Sequence, residues 1–337
     1  MSGAKPAFKD ISQSLLPSPL LKSQPWPTPG LCDFEPDQYP TVIKEIIDDF
    51  VESLDYCPED SEPITDTNAT YQAVRAEFLT RYDNGNEWFD SIYKTAAAMA
   101  ELSYPGLAPE LRHEIARFTC FMLHVDDLKA EHFPALPGFQ QGLLDKDSNS
   151  KGILLQSFRE HLNGLYRFWD TIPANAIVLS ALECINGRLL EQNPAIHDMK
   201  LSEAAQSWPY FLRNKTGCSA AYAFMVFPKC LNMDLSIYMS VVEDMVVVTN
   251  LANDVLSFHK EYVGGETDSY IFLRARVTGR SLPDTLRDTV KDTLAAHARV
   301  TKVLQSTDAA IPWKHYVNGY LAFHFSLQRY RLSELGY

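Results

Sequence analysis

The sequence predicts an all-α fold, and three observations carry that reading. From Tyr39 onward, long segments repeat apolar residues at intervals of three and four. Alternating strand patterns bounded by turn pairs are nearly absent. Helix breakers fall between the periodic segments, as in "SYPGLAP", "FPALPG", "TIPAN" and "VGGE". With 337 residues, 46% of them hydrophobic, the chain has ample material for a sizeable core.

Eight of the 20 prolines lie in the first 40 residues, in segments such as "LPSPL" and "QPWPTPG". Residues 1–40 are therefore expected to be an extended, partly ordered arm, whose Trp26 and Leu31 could pack over a pocket. Residues 41–337 read as one domain, without internal repeat or linker. The periodicity predicts helices over 41–54, 69–82, 86–103, 109–130, 152–169, 175–191, 200–227, 235–262, 268–279, 283–305 and 312–333. In "RHEIARFTCFMLHV", for example, Ile115, Phe118, Met122 and Val125 form one apolar face. The stretch "DKDSNSKGILLQ" begins like a calcium-binding loop. Ser150 stands where the sharp turn needs glycine, and Gln156 where a bidentate Glu is required. It reads instead as a loop opening a helix at Gly152.

A net charge of −13 argues against nucleic acid or an anionic membrane as the main partner, while leaving room for a local basic site. The six cysteines show no C-x-x-C pair and no zinc spacing, and read as buried free thiols of a reducing compartment. No N-terminal stretch resembles a signal peptide, and no run approaches the roughly 20 apolar residues of a membrane span. A cytoplasmic protein is the expectation.

Three polar patches interrupt the apolar faces. In "HVDDLKAEHF", Asp126 and Asp127 close an apolar helix at its negative dipole end, with Glu131 four residues beyond Asp127. This is either a solvated helix end with Lys129 as neighbour or a carboxylate site for a hard cation. In "TNLANDVLSFHKEY", Asn253, Ser257 and Glu261 recur every four residues, drifting only about 40° per step on a helix. An amide oxygen, a hydroxyl and a carboxylate are the donors Mg²⁺ prefers. The alternative is a polar stripe with Ser257 bonded back to its own helix. In "LQRYRL", Arg329, Tyr330 and Arg331 close a helix carrying Tyr316, Tyr320, Phe323 and Leu327, and guanidinium groups there could clamp phosphate oxygens. Together the patches describe a metal-bridged polyphosphate site over an apolar floor.

These residues resemble the class I terpene synthases, and more closely the fungal trichodiene synthase-type sesquiterpene cyclases. "NDVLSFHKE" fits that family's metal motif N-D-x-x-S-x-x-K-E, "RYRLSE" its basic motif, and "FLR" its diphosphate-sensing arginine. "VDDLKAE" occupies the aspartate-rich position, with Ala130 where another acid is usual. The similarity runs from about residue 108 to the end.

The resemblance implies a helical bundle around a central apolar cavity. It implies that Asp126 binds two Mg²⁺ ions, that Asn253, Ser257 and Glu261 hold a third, and that Asp127 pairs with Arg329. Arg213, Lys260, Arg329 and Tyr330 would bind the diphosphate, Asp268 would orient Arg213, and Glu131 could stand in for the missing acid. The reaction implied is ionisation and cyclisation of farnesyl diphosphate to a sesquiterpene hydrocarbon or alcohol, with release of diphosphate, in isoprenoid secondary metabolism. Phe118, Phe121, Phe224 and Tyr320 are candidate walls for the carbocation. Homodimerisation is left open. Alternatives are a chain-elongating prenyltransferase, which usually carries two aspartate-rich motifs, and a non-catalytic helical protein binding isoprenoid diphosphate or calcium.

Overall fold

The computed structural model describes residues 38–58, 64–81, 87–127, 136–144 and 153–337, and every regular element among them is helical. The helices are α1 (Tyr39–Ser53), α2 (Ala69–Arg81), α3 (Glu87–Ser103), α4 (Pro109–Asp127), α5 (Phe139–Leu144), α6 (Ile153–Gly164), α7 (Thr171–Glu191) and α8 (Pro194–His197). They continue as α9 (Trp208–Thr216), α10 (Ser219–Met225), α11 (Leu235–Tyr238), α12 (Val242–Gly264), α13 (Tyr270–Thr278), α14 (Leu282–Leu304) and α15 (Ala310–Ser326).

Periodic spacing explains the long helices directly. On α1, Ile43, Ile46, Ile47 and Phe50 share one buried face, each worth about 1.5–3 kcal/mol on removal from water. The face predicted on α4 is buried throughout: Ile115, Phe118, Met122 and Val125 are all at most 5% exposed. α14 opens on Ser281, whose hydroxyl accepts the Asp284 N–H at 3.2 Å, with Pro283 in the first turn. α12 ends where Gly265 takes φ +74°, a left-handed conformation that glycine adopts without strain.

Six helices close a ring. α3 packs on α4, α4 on α7, α7 on α10, α10 on α12, α12 on α15, and α15 returns to α3. The last contact depends on Gly319, where a Cβ would lie 1.7 Å from the Leu102 carbonyl oxygen, so only glycine permits the approach. The stretch Leu235–Gly264 is the one helical run among the described residues long and apolar enough to cross a membrane by length and composition, a test that a core helix also passes. Half of its apolar window is buried inside the fold.

Two predicted helices, 152–169 and 235–262, are interrupted by 3₁₀ turns at Leu165–Arg167 and Met239–Val241, and two more change backbone direction. The segment 200–227 becomes α9 and α10, broken at Gly217 and at Cys218, which has φ +51°. The segment 312–333 stops as a helix at Ser326; Leu327 is extended, and Gln328–Tyr330 and Leu332–Leu335 form 3₁₀ turns around a left-handed Arg331. Periodicity is blind to such breaks, because apolar residues continue across them. The free cysteines also divide: Cys120, Cys184 and Cys218 are buried as expected, but Cys57 and Cys230 are exposed. Residues 1–37 of the expected arm, Glu131 and the calcium-like loop over 145–152 lie outside the described residues, while Tyr39 and Pro40, also expected in the arm, open α1.

Candidate active site

The ring encloses a cavity of about 530 Å³. Met99 enters from α3, Met122 and Asp126 from α4, Arg188 and Glu191 from α7, Tyr222 from α10, and Tyr320 and Phe323 from α15. Of the expected aromatic wall residues, Tyr320 lines this space. Phe118, Phe121 and Phe224 do not; they belong to the packed core, where Phe121 stacks on Phe158 at 5.0 Å. Tyr222 and Phe323 line the cavity instead.

The last turns of α12 supply the polar wall. Asn253, Lys260 and Glu261 line the cavity, and Ser257 lies buried at 1% exposure, donating its hydroxyl to Glu261 Oε1 at 2.5 Å. The four-residue spacing thus brings hydroxyl and carboxylate oxygens into contact, as expected for one helical face. Lys260 Nζ stands 3.8 Å from Glu261 and 3.9 Å from Glu266. Burial, followed by the neighbouring charges of Glu261 and Asp268, pushes Glu266 above the usual carboxylate range despite Lys260 and Arg188.

Arg213 reaches this wall from α9. Its Nε donates to Asp254 Oδ1 at 2.5 Å, and its Nη2 to the Asn250 carbonyl and to Asn253 Oδ1, both at 3.1 Å. Asp254, not Asp268, therefore orients this guanidinium. One step along α12 turns Asp254 about 100° from Asn253, toward α9; Asp268 lines the cavity from the turn after α12. Burial pushes Asp254 up to about 7, against the pull of Arg213. Gly217 makes room for this arrangement: a Cβ there would lie 2.2 Å from Arg213 Nη1 and 2.4 Å from Asn250 Oδ1.

Across the cavity, Asp126 forms an ion pair with Arg188. The side chain of Asp127 lies outside the described residues, as does Glu131, and with it the expected Asp127–Arg329 pair. Arg329 and Tyr330 line the cavity from the 3₁₀ turn after α15, a correction to their expected place on a helix. Arg329 is exposed, with its guanidinium carbon 5.9 Å from the centre of the Tyr330 ring, which is buried.

The donor set suits a hard divalent cation. Asn253, Ser257 and Glu261 offer three kinds of oxygen along one helix, and Asp126 offers a carboxylate from α4. No three His, Cys, Asp or Glu side chains converge among the described residues.

A family model for trichodiene synthase matches residues 83–337. The chain belongs to the trichodiene synthase family. Terpene synthase BipA of Cochliobolus sativus is 31% identical over 274 residues, covering 79% of this chain and 83% of that protein. Alpha-cuprenene synthase COP6 of Coprinopsis cinerea is 27% identical over 300 residues, covering 87% and 90%. Among solved structures, a cucumene synthase variant superposes with a TM-score of 0.54 at 11% identity over 78% of this chain and 95% of its own, a likeness of fold alone. As a trichodiene synthase family member the protein is a class I terpene synthase: it forms terpenes from isoprenoid diphosphates with a divalent metal. Membership decides against the chain-elongating prenyltransferase and the non-catalytic binder.

Sequence reasoning missed Arg188, Glu191, Asp254 as the partner of Arg213, and His324. Asp254 had a signal, its place inside the metal motif. Arg188 and His324 had none, since each meets its partner only through helix docking.

Proposed function

We propose that this protein ionises farnesyl diphosphate with Mg²⁺ and cyclises the C15 chain to a sesquiterpene. The observation that carries the proposal is that Asn253 and Glu261 line the same cavity as Asp126, Arg213, Lys260, Arg329 and Tyr330, with the buried Ser257 hydroxyl bonded to Glu261. Six lining carboxylates (Asp126, Glu191, Asp254, Glu261, Glu266 and Asp268) face four cations (Arg188, Arg213, Lys260 and Arg329). Such a wall would repel a diphosphate on its own, so bound cations suit it. In this proposal Asp126 would hold two ions, and Asn253, Ser257 and Glu261 would hold a third.

Bound there, Mg²⁺ would neutralise the diphosphate and make it a better leaving group. Arg213, Lys260, Arg329 and the Tyr330 hydroxyl bind its oxygens and stabilise the charge that develops as the allylic C–O bond breaks. The bonding electron pair departs with the diphosphate oxygen, leaving an allylic cation. A distal double bond then attacks the cation, forming the ring carbon–carbon bond. Tyr222, Tyr320 and Phe323 offer aromatic walls, worth about 2 kcal/mol per desolvated cation contact. The cycle ends by proton loss or water capture. A volume of about 530 Å³ lies within the roughly 300–1,000 Å³ range of small-molecule sites. A reducing, cytoplasmic setting belongs to the same reading and suits the five free cysteines of the described residues.

The test is incubation of the full chain with C10, C15 and C20 prenyl diphosphates and Mg²⁺, followed by product analysis. Cyclic C15 products are expected. Conversion of only the C10 or C20 substrate would overturn the substrate assignment, and full turnover in excess chelator the metal assignment.

A further inference from the structure

His324 is fully buried on α15, at 0% exposure, and no motif in the sequence singles it out. Its ring is held edge-on by Tyr320, with centroids 4.7 Å apart at 88°, and by Phe323 at 5.0 Å and 87°; Tyr330 packs at 4.4 Å. The imidazole therefore keeps one orientation, and its two nitrogens have different tasks.

Nδ1 lies 2.6 Å from the Tyr320 carbonyl oxygen. A carbonyl only accepts, so Nδ1 carries the proton. Nε2 lies 3.0 Å from Asn253 Nδ2. An amide nitrogen only donates, so Nε2 presents its lone pair. The other end of the carboxamide fixes the same assignment independently: Arg213 Nη2 lies 3.1 Å from Asn253 Oδ1, and a guanidinium only donates. Turning the carboxamide over would set N–H against N–H at Arg213 and oxygen against a lone pair at His324. Three donor–acceptor relations thus agree on a single orientation.

We infer that His324 is a positioning residue for Asn253, its Nε2 accepting the amide N–H so that the carboxamide oxygen, the one atom able to bind Mg²⁺, stays on the Arg213 side. The inference rests on the metal reading of Asn253 given above. It extends that site to α15, because a ligand on α12 is aimed by a ring 71 residues away in sequence. Partners of this kind orient metal ligands, and their loss typically lowers metal affinity by about 10- to 100-fold.

Two measurements test it. Nitrogen-15 NMR of the histidine-labelled wild-type chain, with the His324 signal assigned by its loss in His324→Gln, should show a neutral ring protonated at Nδ1. A ring protonated at Nε2, or at both nitrogens, would overturn the inference. Mn²⁺ titration in the presence of inorganic diphosphate, followed by electron paramagnetic resonance, gives the second readout. His324→Leu should weaken Mn²⁺ binding roughly 10- to 100-fold, with helical content and melting temperature monitored alongside. His324→Gln, whose side-chain oxygen can accept the same N–H, should retain most of the affinity. Equal Mn²⁺ affinity in a folded His324→Leu protein and the wild type would refute positioning while leaving the metal site intact. Failure of the wild type itself to bind Mn²⁺ would instead sink the metal reading, and the positioning role with it.

Discussion

Arg188 on α7 forms an ion pair with Asp126 on α4, and the same guanidinium donates to Glu191 at 2.6 Å. A carboxylate proposed to bind two cations is thus already paired with a protein cation. Metal and guanidinium compete for the same oxygens, so Arg188→Gln should lower the Mg²⁺ concentration needed for half-maximal rate. Asp126→Asn should cost on the order of a hundredfold in kcat. Steady-state kinetics across a Mg²⁺ series measures both. An unchanged or raised Mg²⁺ requirement in Arg188→Gln would exclude the competition.

Asn253→Ala and Glu261→Ala should each remove most turnover while circular dichroism stays unchanged, since alanine is the better helix former. Glu243→Ala, in the first turn of the same helix, is the control and should keep near-normal turnover. Near-wild-type rates in both site variants would remove α12 from the metal site.

Asp254→Ala should destabilise the fold by about 3–5 kcal/mol, because it strands Arg213 without its carboxylate in a buried place. The side chains are only 13% and 7% exposed. Equilibrium denaturation reads the loss, and an unshifted midpoint would contradict the buried pair.

Acid should weaken the protein through a second buried network. Glu114 on α4 accepts from Arg117 at 2.9 Å and lies 3.1 Å from His161 Nδ1 on α6, and Arg117 also pairs with Glu77 at 2.9 Å. Burial works against ionisation of Glu114, but the His161 hydrogen bond and the positive neighbours bring it down to about 2, from the usual 4.5. A depressed carboxylate contributes stability that is complete above the unfolded value and lost as pH falls toward the folded one. The window therefore runs from about pH 4.5 to 2. Burial also lowers His161 and His113 from 6.5, so each favours unfolding as pH falls below that value. Glu114→Gln should flatten the fall in stability between pH 4.5 and 2, measured by urea denaturation at a series of pH values. A profile as steep as wild type would show that Glu114 does not carry it.

What the sequence determined by itself is what helical periodicity can express. The buried face of α4 follows from spacing within a few turns. So does the contact of Ser257 with Glu261, because residues four apart on a helix are neighbours wherever the helix docks. The family motifs likewise led to Asp126, Arg213, Arg329 and Tyr330, all of which line one cavity. Spacing could not find the breaks at Gly217 and Leu327, where the apolar pattern runs on through a change of backbone direction. Nor did it find Asp254 for Arg213, which the resemblance assigned to Asp268, an acid of the same chemistry beyond the turn that ends α12. Only the tertiary structure decided that partner, together with the pairing of Arg188 with Asp126 and of His324 with Asn253. These contacts join residues on different helices, and the docking of those helices is set by the whole core rather than by any local run of the chain.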